Sequence, residues 1–274
     1  MNTVIRILSW VVLTLYVVNF IYYYNSFRES TEDSHQRIRK LLIAAVATHF
    51  VYLAILSSRI GHLPVGNVFQ VFTTFAWVAA LVYLSLEMRL NVLTMGVFFI
   101  PVVIFFQLIS NLFLDLNQPL ASVLKNLLFE VHVSFLISSY AAFTISFITS
   151  VMYILLSREM QSKNLGIFFQ RLPSLELFDT LSNHAVNIGL VLGLVGMGIG
   201  VYMGTNLWEG TWFLDPKFLS VAISIGIYLL HFISRKTVGW QGKRAAIVSV
   251  IGFNWLLFSF IFVDLFFSKF HNFH

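Results

Sequence analysis

No cysteine occurs anywhere in the sequence. The chain therefore forms no disulfide, runs no thiol exchange and offers no thiolate to a metal; any thiol chemistry must come from a partner. Charge is scarce as well. Only 11% of the 274 residues are Asp, Glu, Lys or Arg, whereas 58% are hydrophobic, and the mean hydropathy is +0.83. A soluble domain is about one quarter charged, so this surface is not one that water can cover, and lipid is the solvent it fits. No loop is long enough for an ordinary soluble domain, and the chain reads as a single integral-membrane domain from residue 1 to 274. Half-length helices, inverted repeats and paired carboxylates, the marks of a solute transporter, are missing too.

A helix needs roughly 20 apolar residues to cross a bilayer. That ruler predicts an all-α, polytopic transmembrane bundle of about eight spans, near Val4–Tyr24, Leu41–Ser58, Val65–Leu86, Val92–Leu114, Leu127–Leu156, Val186–Thr205, Phe218–Ser234 and Ala245–Phe267. The first runs into Tyr22, Tyr23 and Tyr24 instead of a small-residue cleavage site, so it is expected to stay as a span. Of the 17 Lys and Arg residues, the four odd-numbered loops hold twelve, including Arg37, Arg39, Lys40, Arg158, Lys243 and Arg244. Basic residues stay cytoplasmic, which places both termini and the even loops on the non-cytoplasmic side. The net charge of +5 is then a topology signal, and a nucleic-acid partner is not expected.

Glycines recur in the sixth span at Gly189, Gly193, Gly196 and Gly200, a spacing that lets a neighbouring helix come close. Neither a strand nor the usual Lys accompanies them, so a phosphate loop is disfavoured. Of the eight histidines, His35, His184 and His274 read as solvated or terminal. His62, His132 and His271 fall at the external ends of helices or in external loops; His49 and His231 fall inside spans two and seven. A buried imidazole needs partners for its N–H and its lone pair, so each of these two is either a hydrogen-bonded core histidine or a ligand.

His132 and His271 bracket, in sequence, the aromatic loop from Thr205 to Lys217. Two readings apply to it. Asp215 before Pro216 makes a good helix start, and Trp208, Trp212 and Phe213 suit a membrane interface. Alternatively, the indoles offer flat apolar faces to a planar macrocycle whose iron takes imidazoles on either side.

The ordered segments resemble the CcsA/ResC/HemX-like cytochrome c assembly family, tryptophan-rich haem-handling membrane proteins related to CcmC. The loop from Trp208 to Phe218 is similar to the family form W-G-x-x-W-x-W-D-P-K-E, with Trp208, Trp212, Asp215, Pro216 and Lys217 in register. Gly61-His62-Leu63-Pro64, His132-Val133-Ser134 with Ser139-Tyr140-Ala141, Pro173-Ser174-Leu175-Glu176, Trp240-Gln241-Gly242 and Phe270-His271 match further family segments in order, from about residue 49 onward.

The resemblance implies that His132 and His271 ligate haem b beside the tryptophan loop on the outer face of the cytoplasmic membrane. It also implies that His49 and His231 bound a route for haem to that face. The partners it implies are a CcsB/ResB-like membrane protein and an apocytochrome c whose thiols attack the haem vinyl groups. The chain then works as a subunit of a cytochrome c haem lyase with no self-contained catalytic motif. Three positions depart from the pattern: Glu209 replaces the glycine, Leu214 the third tryptophan and Phe218 the acidic residue. One stacking face is lost, which keeps open a HemX-like role in regulating haem synthesis. A small-solute transporter using His49 and His231 as a proton relay is the third reading, from a different class.

Overall fold

The computed structural model describes residues 1–29, 35–116, 126–163, 166–207 and 212–259. Among these residues the protein is helical throughout, without strands. Six helices are long and apolar enough to cross a membrane, and a seventh apolar helix has 17 residues. The described chain divides into two compact units, Met1–Leu120 and Ala121–His274.

The first unit contains α1 (Asn2–Glu29), α2 (His35–Ile60), α3 (Val68–Leu90) and α4 (Gly96–Leu112). Each helix touches the next and α4 closes on α1. In lipid, apolar burial gives no net drive for helices to associate, so packing and interhelical hydrogen bonds must hold the unit. Its centre shows such bonds. Asn111 Nδ2 donates to the Ser9 carbonyl at 3.0 Å, and Gln107 Nε2 donates to Asn111 Oδ1 at 2.8 Å. Thr73 Oγ1 donates to Gln107 Oε1 at 2.8 Å. Thr73 Oγ1 therefore accepts from His49 Nε2 at 3.0 Å, which leaves His49 Nδ1 to accept from Tyr16 Oη at 3.1 Å. The chain crosses all four helices, and His49, fully buried, has both nitrogens engaged in it.

A second knot lies where α1, α2 and α3 meet at their basic ends. The buried Glu87 carboxylate accepts from Tyr23 and Tyr83 Oη and from Arg39 Nε, the last at 3.2 Å. Arg39 Nη2 goes on to Asn91 Oδ1 at 2.7 Å. Asn91 caps α3 with φ of 54°, and its N–H returns to the Glu87 carbonyl, the left-handed stop that asparagine tolerates better than most residues. The expected third span ended at Leu86, just short of this carboxylate. The structure carries the helix to Leu90 and puts Glu87 inside it, because two phenols and a guanidinium satisfy the charge.

The second unit contains α5 (Leu127–Gln161), the short α6 (Ile167–Arg171), α7 (Leu175–Leu207), α8 (Pro216–Thr237) and α9 (Lys243–Phe258). α7 begins eleven residues before the expected Val186, so His184 lies within a helix and not ahead of one. A serine cluster (Ser146, Ser150, Ser182 and Ser249) ties α5, α7 and α9 together.

The α5–α7 pair is the closest in the unit, and the glycines explain it. A Cβ on Gly189 would stand 2.5 Å from Phe143, on Gly193 2.8 Å from Ser139, on Gly196 3.0 Å from Leu136, and on Gly200 2.5 Å from His132. The contacts run antiparallel in constant register, so every glycine receives one α5 side chain. Gly198, off that face, has nothing within 4 Å. Gly189→Ala is thus expected to lower thermal stability in detergent, by roughly 1–3 kcal/mol for overpacking. Gly198→Ala is expected to leave it unchanged or raise it by up to about 1 kcal/mol; thermal unfolding of the two variants checks the contrast.

Candidate functional site

His132 is held by the same register. Its ring lies against the bare backbone of Gly200, and its Nδ1 is 2.7 Å from the Gly196 carbonyl. A carbonyl only accepts, so Nδ1 carries the proton and donates. The imidazole is then fixed in the Nδ1–H tautomer, and its Nε2 lone pair is the ring's coordinating atom. This is the arrangement by which proteins orient a metal-binding histidine.

One turn further along the stripe, Gly204 receives Trp212. A Cβ there would be 2.9 Å from the indole, so the ring rests directly on the α7 backbone. Phe218 meets the indole edge to face at 5.3 Å, and Phe213 does so at 6.1 Å. Gly200 and Gly204 are four residues apart, about 6 Å of helix, so α7 sets the His132 imidazole and the Trp212 indole side by side. Phe218 stands where the family pattern has an acid, and it supplies an apolar wall to the indole.

Asp215 and Lys217 complete this end. Asp215 is buried, and its carboxylate accepts from the Lys217 N–H at 2.9 Å, with Pro216 in the first helical turn. Asp215 therefore has the helix-starting role read from the sequence. The Lys217 ammonium is within electrostatic reach of His132.

His231 lies 14 residues further along α8 than Lys217, about 21 Å at the helical rise. It is 2% exposed, and neither ring nitrogen has a hydrogen-bond partner. One turn away on the same face, Tyr228 is fully buried, its ring stacked on Phe143 at 3.6 Å and its hydroxyl also without a partner. Buried polar atoms are satisfied in most folded proteins, and these three, within one turn of α8, have no protein partner. His49 belongs to the other unit with both nitrogens engaged, and it presents no lone pair to a metal in this arrangement. His271 and Trp208 lie outside the described residues, as do Glu209 and Asp264. Among the described residues no cluster of three or more His, Asp or Glu side chains could hold a bare metal ion. A metal that arrives within a macrocycle needs only axial ligands; within the helices of this unit His132 keeps Nε2, and His231 both ring nitrogens, outside the hydrogen bonds described above.

Gly204, Asp179 and Arg235 are parts of this unit that sequence reasoning passed over. The glycine continued a visible spacing. The ion pair was hidden because α7 was expected to begin after Asp179. Asp215→Ala removes a helix cap worth about 1 kcal/mol and is expected to lower the melting temperature by about 2–4 °C, with Asp215→Asn close to the parent; thermal unfolding of both variants checks this.

The family model described as "Cytochrome C assembly protein" matches residues 65–271. The chain is 28% identical over 216 residues to the "Cytochrome c biogenesis protein CcsA" of Mesostigma viride, covering 70% of this chain and 71% of that protein. It is 26% identical over 254 residues to "Protein HemX" of Brevibacillus brevis, covering 90% and 91%. "Protein HemX" of Bacillus subtilis (strain 168) matches at 26% over 262 residues, with 94% of each chain covered. With most of its length matched by the family model, and with an all-helical fold that suits a membrane, this chain belongs to the cytochrome c assembly protein family.

Proposed function

We propose that the protein receives haem within the membrane and presents it at the non-cytoplasmic face for covalent attachment to apocytochrome c, together with a CcsB/ResB-like partner. The observation that supports this reading is the fixed tautomer of His132: a half-buried imidazole with one nitrogen tied to a carbonyl, the other bearing a lone pair, and an indole seated beside it.

In this reading His132 and His271 are the axial ligands at the tryptophan end. Trp212 offers a flat apolar surface, Trp208 a second one, and Lys217 a cation suited to a propionate. His231 marks a second site about four turns deeper along α8. The haem, as haem b, supplies the iron and the vinyl groups. The chain's own residues bind, orient and shield it, and the thiols that form the thioethers belong to the apocytochrome. His49 serves the first unit as a packing residue. The one domain expected from the sequence then comprises both compact units, with the loop before α8 facing outward.

A second reading stays in view because the HemX relatives match over more than nine tenths of this chain in the bacillar case, and because Leu214 and Phe218 depart from the tryptophan motif. There the same fold senses haem and restrains its synthesis.

The purified protein, reduced with dithionite, is expected to show a haem with low-spin bis-imidazole bands. His132→Ala and His271→Ala should each abolish that signature, and Gly200→Val should weaken it by displacing the His132 ring. Unchanged haem content and bands in the two alanine variants would exclude the ligand pair. Deleting the gene separates the two cellular roles. Loss of c-type cytochromes with normal haem precursors supports attachment, whereas precursor accumulation with intact c-type cytochromes supports regulation.

A further inference from the structure

The His231 site lacks what the His132 site has, a bonded acceptor that selects the tautomer. An imidazole alone in an apolar interior presents either nitrogen, and its orientation is undetermined about its side-chain torsions. The structure offers one acceptor next to it. Arg235 is four residues on from His231, hence on the same face of α8, and its guanidinium grips Asp179 of α7. Nη1 bonds Oδ1 at 2.9 Å and Nη2 bonds Oδ2. Asp179 Oδ1 also accepts the Gly242 N–H at 2.9 Å. The carboxylate is therefore held from α8, by a residue one turn beyond His231, and from the turn into α9.

A carboxylate has about four acceptor sites, and three donors occupy Asp179. One remains. Asp179 is within electrostatic reach of His231, and both imidazole nitrogens of His231 lack partners.

We propose that Asp179, clamped by Arg235 and Gly242, is the positioning residue of His231: it takes the imidazole N–H and so commits the opposite nitrogen to haem iron. This rests on His231 being a haem ligand. A carboxylate behind a ligating imidazole raises its basicity and fixes its plane, and removing such a partner typically weakens binding by about 10- to 100-fold. The Asp179–Arg235 pair thus does more than join two helix ends: it extends the coordination sphere of the deeper site.

The test uses the full-length protein with haem in a His132→Ala background, where the deeper haem is observed alone. Asp179→Asn keeps the side-chain volume but loses charge and acceptor strength. It is expected to weaken haem retention by about 10- to 100-fold, to raise the midpoint potential because a less basic imidazole favours ferrous iron, and to shift the electron paramagnetic resonance signal of the deeper haem. Asp179→Glu is expected to recover part of both the potential and the retention. If His231→Ala removes the haem while Asp179→Asn leaves potential and signal unchanged, the positioning role is overturned with the site intact. If His231→Ala itself changes nothing, the site reading fails first. The otherwise native Asp179→Asn protein should keep the His132 haem signature, which reports a folded chain. Should that variant not fold, Arg235→Lys loosens the clamp but keeps the carboxylate, and an unchanged deeper-haem potential there overturns the proposal equally.

Discussion

The second unit depends on how closely α5 approaches α7. Four glycines at helical spacing on α7 receive four successive α5 side chains in one register, and the last of those is His132. The same backbone that lets the helices touch also supplies the carbonyl that orients the imidazole. Packing and chemistry are not separable here. A larger residue on the stripe would move a helix and the His132 imidazole together, and the Trp212 indole rests on the next glycine of the same row.

Much of this was legible in the sequence. The shortage of charge and the long apolar runs announced a membrane bundle, and the glycine spacing announced a close helix pair. The Asp215–Pro216 step announced the start of α8 to the residue. These signals are local, governed by composition or by spacing within one helix. What stayed hidden depends on contacts between helices. Glu87 was set outside a span because a charge ends an apolar run, yet Tyr23 and Arg39 from two other helices, with Tyr83 one turn back on its own helix, satisfy it. Asp179 was placed in a loop for the same reason, and Arg235, 56 residues later, is what keeps it in a helix. A hydropathy ruler stops at an ionised group; a folded helix continues through it where other helices supply partners.

The histidines show the same division. Sequence alone could not separate His49 from His231, since both are single imidazoles inside apolar helices. In the structure they are opposites. His49 has a donor on one nitrogen and an acceptor on the other, whereas His231 has neither. Hydrogen-bond partners, not depth, distinguish a structural imidazole from one with coordinating capacity to spare. His132 is intermediate, with one nitrogen engaged and one available.

The chain of bonds through His49 also has a direction. It terminates on the Ser9 carbonyl, which cannot give up a proton. Every upstream group is thereby locked into donating in one sense, from Tyr16 towards α4. Hopping of protons requires a row of donors that can reverse, and two of these links are amides that do not readily ionise. The centre of the first unit is therefore polar yet one-way: no proton can pass back along this row without breaking the bonds that join its four helices.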